Sequence, residues 1–289
     1  MYMPDFDYHA PGTLAEAYTL LAELGPSATV LAGGTDVLHK MKVGKLAPRH
    51  LVSLKRLDEM REIRYVPGRG VVIGALVSHH AIYTSPLLQQ RYLSLPMAAH
   101  TMASNQICNM GTVGGNIVNG VPSADLPPIL IALGAGIRLV SLKGERTMAL
   151  ENFFHGSAET VIAPGEILAD ITIPDQPTTG STYIKFGLRR SGALAVTAVA
   201  ASVLVEGDTI RDARIVLASA APTVMRASDA EYYLIGKKVS DELLARAGGL
   251  AAAMSRPRDS IRGSAEYRKN LVEVLTKRAL RKAIDEGHV

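Results

Sequence analysis

The sequence predicts an α+β fold in two successive parts, and three observations predict it. Near the start a buried strand, a glycine turn, a helical stretch and a second strand follow one another, the pattern of a small parallel unit. The middle of the chain mixes strand-like and helix-like segments without βαβ spacing. Beyond a Pro/Thr/Gly-rich stretch at 173–182, three alternating runs precede three helix-like segments. That stretch sets the expected boundary: a first domain over 1–176 and a second over 177–289. A length of 289 residues suits two domains.

The elements follow in order. "GTLAEAYTLLAEL" is an amphipathic helix, with Thr13 and Glu16 as a capping box and Leu14, Tyr18, Leu21 and Leu24 on one face. "ATVLA" is a short buried strand that runs into Gly33-Gly34; "TDVLHKMK" gives one or two helical turns and "HLVSL" a strand. "EIRYVPGRGVVIGAL" is two strands about a turn at Pro67-Gly68. "LPMAAHTMASNQI" has helical spacing, with Ser94 as a candidate N-cap. "SADLPPILIALGA" is a helix with its proline pair in the first turn, capped by Ser123 or Asp125. "GIRLVSL", "ERTMAL" and "ILADITIP" are further strands. In the second part, "STYIKFGLRR", "LAVTAVAASVLVEG" and "TIRDARIVLASAA" are three strands, the last two a hairpin about Glu206-Gly207-Asp208. Helices are expected around 227–235, 239–253 and 264–285, the last with Leu271, Leu275 and Ala279 on one face.

Composition removes several classes of function. Hydrophobic residues make up 47% of the chain, enough for sizeable cores and against disorder. The net charge is +4, and basic residues are dispersed except in "YRKNLVEVLTKRALRKA", so no dense patch marks a nucleic-acid surface. Apolar runs are short and interrupted, which predicts no transmembrane helix, and "MYMPDFDYHAPG" is no signal peptide; a cytoplasmic location is the expectation. With Cys108 as its single cysteine the chain forms no internal disulfide and has too few thiolates for an iron–sulfur cluster. No Cys/His cluster has zinc spacing, so no metal site is expected. The pair His79-His80 reads as surface or capping. No catalytic triad or acid–base pair announces itself.

Two glycine clusters remain, "VLAGGTDVL" and "GTVGGNIVNG". Neither is a P-loop or G-x-G-x-x-G. Glycine lets main-chain N–H groups approach a phosphate without a Cβ between them. A lone Gly-Gly is commonly a plain turn; two clusters, one behind a buried strand and one ahead of a capped helix, suit a long phosphorylated ligand held at two points. Asp36 and Asp125 suit ribose or ribityl hydroxyls, or helix caps.

"LAGGTDVL" and "NMGTVGGNIVNGVPSADLPP" resemble the FAD-binding subunit of the molybdenum hydroxylases, the family of xanthine dehydrogenase and carbon monoxide dehydrogenase. The resemblance continues through "EILADITIP", "YIKFGLRRSGALAVTAVAA", "ASAAPTVMR" and "IRGSAEYRKNLVEVLTKRAL", and its flavour is nearest the bacterial xanthine dehydrogenase subunits. It implies a two-part FAD-binding domain of the vanillyl-alcohol-oxidase type, then a three-stranded antiparallel sheet with a helix bundle. It implies that Val30, Leu31, Ala32, Gly33, Gly34, Thr35, Asp36 and Val37 line the FAD pyrophosphate. Gly111, Thr112, Val113, Gly114, Gly115 and Asn116 would form a second clamp. Met102 would contact the cofactor, Leu168 or Ala169 would lie near the flavin ring, and Asp125 would take FAD hydroxyls. Lys185 would stand where a cation stabilises charge on the reduced flavin. The implied partners are a molybdenum-cofactor subunit and a [2Fe-2S] subunit, with NAD⁺ or a quinone as acceptor. A self-contained FAD oxidase and a non-catalytic nucleotide-binding assembly protein are the competing readings. Two residues depart from the family pattern: Cys108 replaces an arginine in "QICN", and Gly192-Ala193 stand where an acidic residue is usual. No cysteine-bearing insertion follows the second loop, unlike in the hydroxybenzoyl-CoA reductase branch.

Overall fold

A small parallel sheet opens the chain. The computed structural model describes residues 3–178, 180–189 and 191–286. Strand β1 (Asp7–His9) leads to helix α1 (Leu14–Leu24), β2 (Ala28–Leu31), α2 (Val37–Lys42) and β3 (His50–Ser53), with β3 in the centre, parallel to both neighbours. Three residues long and half exposed, β1 carries no periodic signal and is not expected from the sequence. Thr13 Oγ1 accepts from the Glu16 N–H at 3.1 Å. The Glu16 carboxylate reaches the Gly12 N–H (2.8 Å), one residue before the position a capping box predicts.

The second unit is a five-stranded antiparallel sheet. Strands β4 (Ile63–Val66) and β5 (Gly70–Gly74) precede six short helices: α3 (His79–Thr84), α4 (Pro86–Arg91), α5 (Ser94–His100), α6 (Asn105–Met110), α7 (Val113–Val118) and α8 (Leu126–Ala132). Then come β6 (Gly136–Ser141), β7 (Gly144–Ala149), the small hairpin β8 (Phe154–Gly156) and β9 (Glu159–Thr160), and β10 (Ile167–Ile173). The order β4-β5-β10-β6-β7 places β10 in the middle. Its register against β6 shifts between Leu168 and Asp170. Such a bulge redirects local side chains, and the Ala169 carbonyl there accepts from the Ala75 N–H at 2.9 Å.

The single helix expected over "LPMAAHTMASNQI" is two. It breaks at Thr101–Ser104, where Ala103 takes φ 30°. The Thr101 carbonyl accepts from Lys185 Nζ and the Ala103 carbonyl from the Gly192 N–H, so tertiary donors take groups that a continuous helix would use. Ser94 lies inside α5 and bonds Ser181 (2.6 Å); Ser104 caps α6 instead.

In the second part β11 (Gly180–Phe186), β12 (Thr197–Glu206) and β13 (Thr209–Ala218) form the expected antiparallel sheet, and a two-residue β14 (Met225–Arg226) adds a short fourth strand at its edge. Helices α9 (Ser228–Leu234), α10 (Asp241–Met254) and α11 (Ala265–Glu286) cover one face. Val199, Ala201, Val203, Ile215 and Leu217 turn toward those helices, whereas Ala198, Ala200, Val216 and Ala218 join the core of the first part. This is the two-residue period of a strand, and it makes the sheet a wall between two cores. Against the alanine side lies α8, all seven of whose residues are buried. Among the described residues no helix is long and apolar enough to cross a membrane.

Candidate functional site

The two glycine loops meet at one cleft of about 390 Å³. That lies within the range of roughly 300–1,000 Å³ typical of small-molecule sites. Close approach of neighbouring protein explains two glycines, one of them where the loops touch. A Cβ on Gly33 would lie 2.9 Å from the Met110 carbonyl carbon and 3.0 Å from Gly111 Cα. A Cβ on Gly114 would lie 2.7 Å from Ala75 Cβ, and the Gly114 N–H already donates to the Ala75 carbonyl at 2.9 Å. The sequence suggests that these glycines make room for a phosphate; in the structure Gly33 and Gly114 make room for neighbouring protein.

The loops differ in what they offer a ligand. Among the described residues, the N–H groups of Gly33, Gly34, Thr35, Asp36 and Val37 have no protein acceptor. Gly34 adopts φ 85°, which turns this run of amides. In the second loop the amides are already used. Val113 donates to Val77, Gly114 to Ala75, Gly115 to Thr112 Oγ1 and Asn116 to the Thr112 carbonyl, all at 2.9–3.1 Å. That loop offers side chains instead: Asn116 Oδ1 is buried on the cleft wall without a partner. At the mouth Asn119 donates to Asp36 (2.9 Å) and accepts from Lys40 (2.9 Å), a bridge from one loop to the other.

His79 is not the surface residue the sequence suggests. It is 3% exposed, lines the cleft, and leaves Nδ1 without a partner; Ser78, beside it, is the cap of α3. Gly111 lies so close that a Cβ there would be 2.8 Å from His79 Nε2. Burial lowers the His79 pKa to about 4, so the ring is neutral near pH 7. The unfolded chain, with an ordinary pKa of 6.5, then binds more protons between pH 6.5 and 4. Stability therefore falls as pH drops through that window, by at most about 3 kcal/mol. Urea unfolding of His79→Gln should lose this part of the acid sensitivity; an unchanged pH profile would refute it.

Of the residues predicted for the site, Val30, Ala32, Gly33, Gly34, Thr35, Asp36, Val37, Met102, Gly111, Thr112, Gly114, Gly115, Asn116 and Leu168 line the cleft. Leu31 and Val113 are packed in the core behind it. Asp125 and Lys185 are not on the cleft wall. They face each other at 2.9 Å, both side chains less than a tenth exposed, while Lys185 also donates to the Thr101 carbonyl (3.1 Å) and Tyr183 to Asp125 (2.7 Å). Burial pushes the Asp125 carboxyl up against the opposing pull of Lys185 and Tyr183. A buried carboxylate requires such partners, and these two residues serve each other across the two parts of the chain. Lys40, His79, Asn119 and Glu166 also line the wall, and of these only Asn119 sits inside a glycine cluster, so the sequence does not mark them as site residues. Cys108 is half buried with Sγ 3.3 Å from the Met102 carbonyl, and burial pushes its thiol pKa up, against a reactive thiolate.

The family of the FAD binding domain in molybdopterin dehydrogenase matches residues 4–176. The chain belongs to this family. The CO dehydrogenase flavoprotein C-terminal domain matches residues 182–283. The carbon monoxide dehydrogenase medium chain of Hydrogenophaga pseudoflava is 36% identical over 284 residues, 98% of each chain. A putative xanthine dehydrogenase FAD-binding subunit of Escherichia coli K12 is 31% identical, over 98% of this chain and 97% of its own. A solved carbon monoxide dehydrogenase from Hydrogenophaga pseudoflava, lacking the Mo-pyranopterin moiety of its cofactor, superposes with TM-score 0.94 at 36% identity and 98% coverage of both chains. Quinoline 2-oxidoreductase from Pseudomonas putida 86 gives 0.94 at 29% identity and full coverage.

The cofactor of this molybdopterin dehydrogenase flavoprotein is FAD, and the cleft suits it. Five unpaired amides in one turn match a diphosphate's oxygens, and the unpartnered His79 Nδ1 and Asn116 Oδ1 can bond the polar parts of a dinucleotide. Apolar residues such as Met60, Leu76 and Leu168 can pack against an aromatic ring.

Proposed function

We propose that this chain is the FAD-bearing electron-transfer subunit of a molybdenum hydroxylase complex. It would take electrons from a [2Fe-2S] subunit, itself served by a molybdenum-cofactor subunit, for delivery to NAD⁺ or another acceptor. The observation that carries the reading is the cleft where the two glycine loops meet, in a chain matched by both family domains. Bound FAD supplies chemistry that exchanges electrons singly or in pairs. The chain's part is to hold and exclude. Gly33 to Val37 would bind the diphosphate through main-chain N–H groups, with Val30 and Ala32 beside them. Thr112, Asn116 and His79 would hold the other side, and Met102, Leu76 and Leu168 would keep water from the ring. A single cysteine cannot ligate a cluster, so the iron–sulfur centre would lie outside these residues, in the partner the reading invokes. A cytoplasmic location belongs to the same reading.

Relatives named for carbon monoxide, glyceraldehyde, xanthine and nicotine match at 30–37% identity over nearly the whole chain. The same flavoprotein architecture accompanies different substrates, so substrate choice lies outside this chain. Carbon monoxide dehydrogenase chains match at 36–37% and xanthine-type subunits at 30–31%, which gives a xanthine-type assignment less support than the broader one. The purified chain should retain close to one FAD after desalting and show no hydroxylase activity alone. The assembled complex should contain molybdenum and iron, and should reduce NAD⁺ if that is the acceptor. A chain that stays colourless in excess FAD, or that turns over an alcohol unaided, would overturn the reading.

A further inference from the structure

We propose that one face, built from residues 187–189 and 191–195, the 256–263 loop and the α5–α6 corner, is the docking surface for an acidic protein partner, the subunit that delivers electrons to the cleft. The proposal rests on the functional reading above, and three observations carry it.

The three segments adjoin. The Gly192 N–H and Ser191 Oγ donate to the Ala103 carbonyl at 2.7 and 3.2 Å, which seats the first loop on the corner. Arg268 of α11 donates to the Val196 carbonyl (2.6 Å) and to Ser260 Oγ (2.7 Å), which ties the second loop to the start of β12. The Phe186 and Tyr267 rings meet edge to face at 6.2 Å. From the corner, α6 leads into the cleft, where Ile107 and Gly111 form part of the wall. A partner seated on this face therefore approaches the cofactor site.

The face is apolar in a way the fold does not use. Ile261 is 99% exposed at its loop tip, Leu188 62% and Leu194 54%. Leu188 and Leu194 stand at the two ends of one loop, which meet where Gly187 approaches the Leu194 main chain; neighbouring exposed apolar residues, unlike scattered single ones, mark an interaction site.

The face also lacks counter-charge. Arg189, Arg256 and Arg258 are exposed in these loops and Arg262 is half-buried there, and none of these has an ion pair among the described residues. The carboxylate of Asp259, in the second loop, is turned to the Ala265 N–H at 2.6 Å. Arginines around apolar anchors are the usual make-up of an interface hot spot. An excess of unpaired guanidinium groups selects a partner that presents carboxylates.

The test uses the complex purified through a tag on this chain from cells that make all its subunits. Ile261→Asp and Arg258→Glu replace exposed residues, so both variants should keep wild-type FAD content. Each should bind the partner subunits at least about tenfold more weakly, and more so together. Added salt should loosen the wild-type complex more than the Arg258→Glu complex. Tyr232→Asp, at an exposed position of α9, should leave assembly unchanged. If Ile261→Asp and Arg258→Glu retain stoichiometric partners at wild-type affinity, the docking face is wrong while the functional reading stands. If the wild-type chain purifies without partners, both fall.

Discussion

Gly33→Ala should purify colourless, with FAD affinity lowered about 100-fold or more. The added methyl meets the main chain at Met110 and Gly111, and not the end of a flexible side chain. That main chain cannot retreat cheaply. The Gly111 N–H is bound to the Ile107 carbonyl at 2.7 Å, and its carbonyl accepts from the His79 N–H at 3.2 Å. The first loop has to move instead, and the five unpaired amides from Gly33 to Val37 move with it. A hydrogen bond to a charged group contributes about 1.5–3 kcal/mol, so losing two of these amide contacts lowers affinity on the order of 100-fold. The core does not depend on this loop, so thermal unfolding of the apo chain should shift little. Gly12→Ala is the matched control, since its new methyl would lie 3.7 Å from Glu16 Oε2, an ordinary contact. FAD titration followed by desalting measures the effect, and a fully yellow Gly33→Ala protein would remove the first loop from the cofactor site.

Lys185→Met should destabilise the chain by about 3–5 kcal/mol, because it leaves Asp125 buried without its cation. Replacing both members should be milder. In Lys185→Met/Asp125→Asn the amide can still accept from Tyr183, and no isolated charge remains. Urea unfolding of the two single variants and the double variant forms a cycle whose interaction energy should be well above 1 kcal/mol. A double variant as unstable as the sum of the singles would show that the pair does not act as a unit. The pair also ties β11 to the cleft without touching it. Lys185 holds the Thr101 carbonyl, and the next residue, Met102, lines the cleft.

The sequence revealed much of the fold for definite reasons. The strands β10, β12 and β13 are long, apolar and bounded by turn residues. The helices α10 and α11 carry caps and a clear apolar stripe. The break between α5 and α6 was hidden, since no proline or glycine marks it and its cause lies in Lys185 and Gly192, more than eighty residues on. The glycine loops were found at once, but a sequence does not say what a missing Cβ faces. Gly33 and Gly114 face protein, and the second loop spends its amides on Ala75, Val77 and Thr112. His79 was misjudged because adjacency to His80 says nothing about which ring turns inward. Asp125 and Lys185 were both singled out, yet nothing local marks them as each other's partners across sixty positions.

The alanine-faced wall of β12 and β13 also sets an order of events during synthesis. Residues 1–176 leave the ribosome first, with α8 complete but its apolar flank still open to water, the kind of surface that chaperones cover. Lys185 and Gly192 emerge later, and until then the corner that carries Met102 has only its local contacts, such as that from Cys108. A chain cut short before residue 192 would lack both of these contacts at the corner of the cleft.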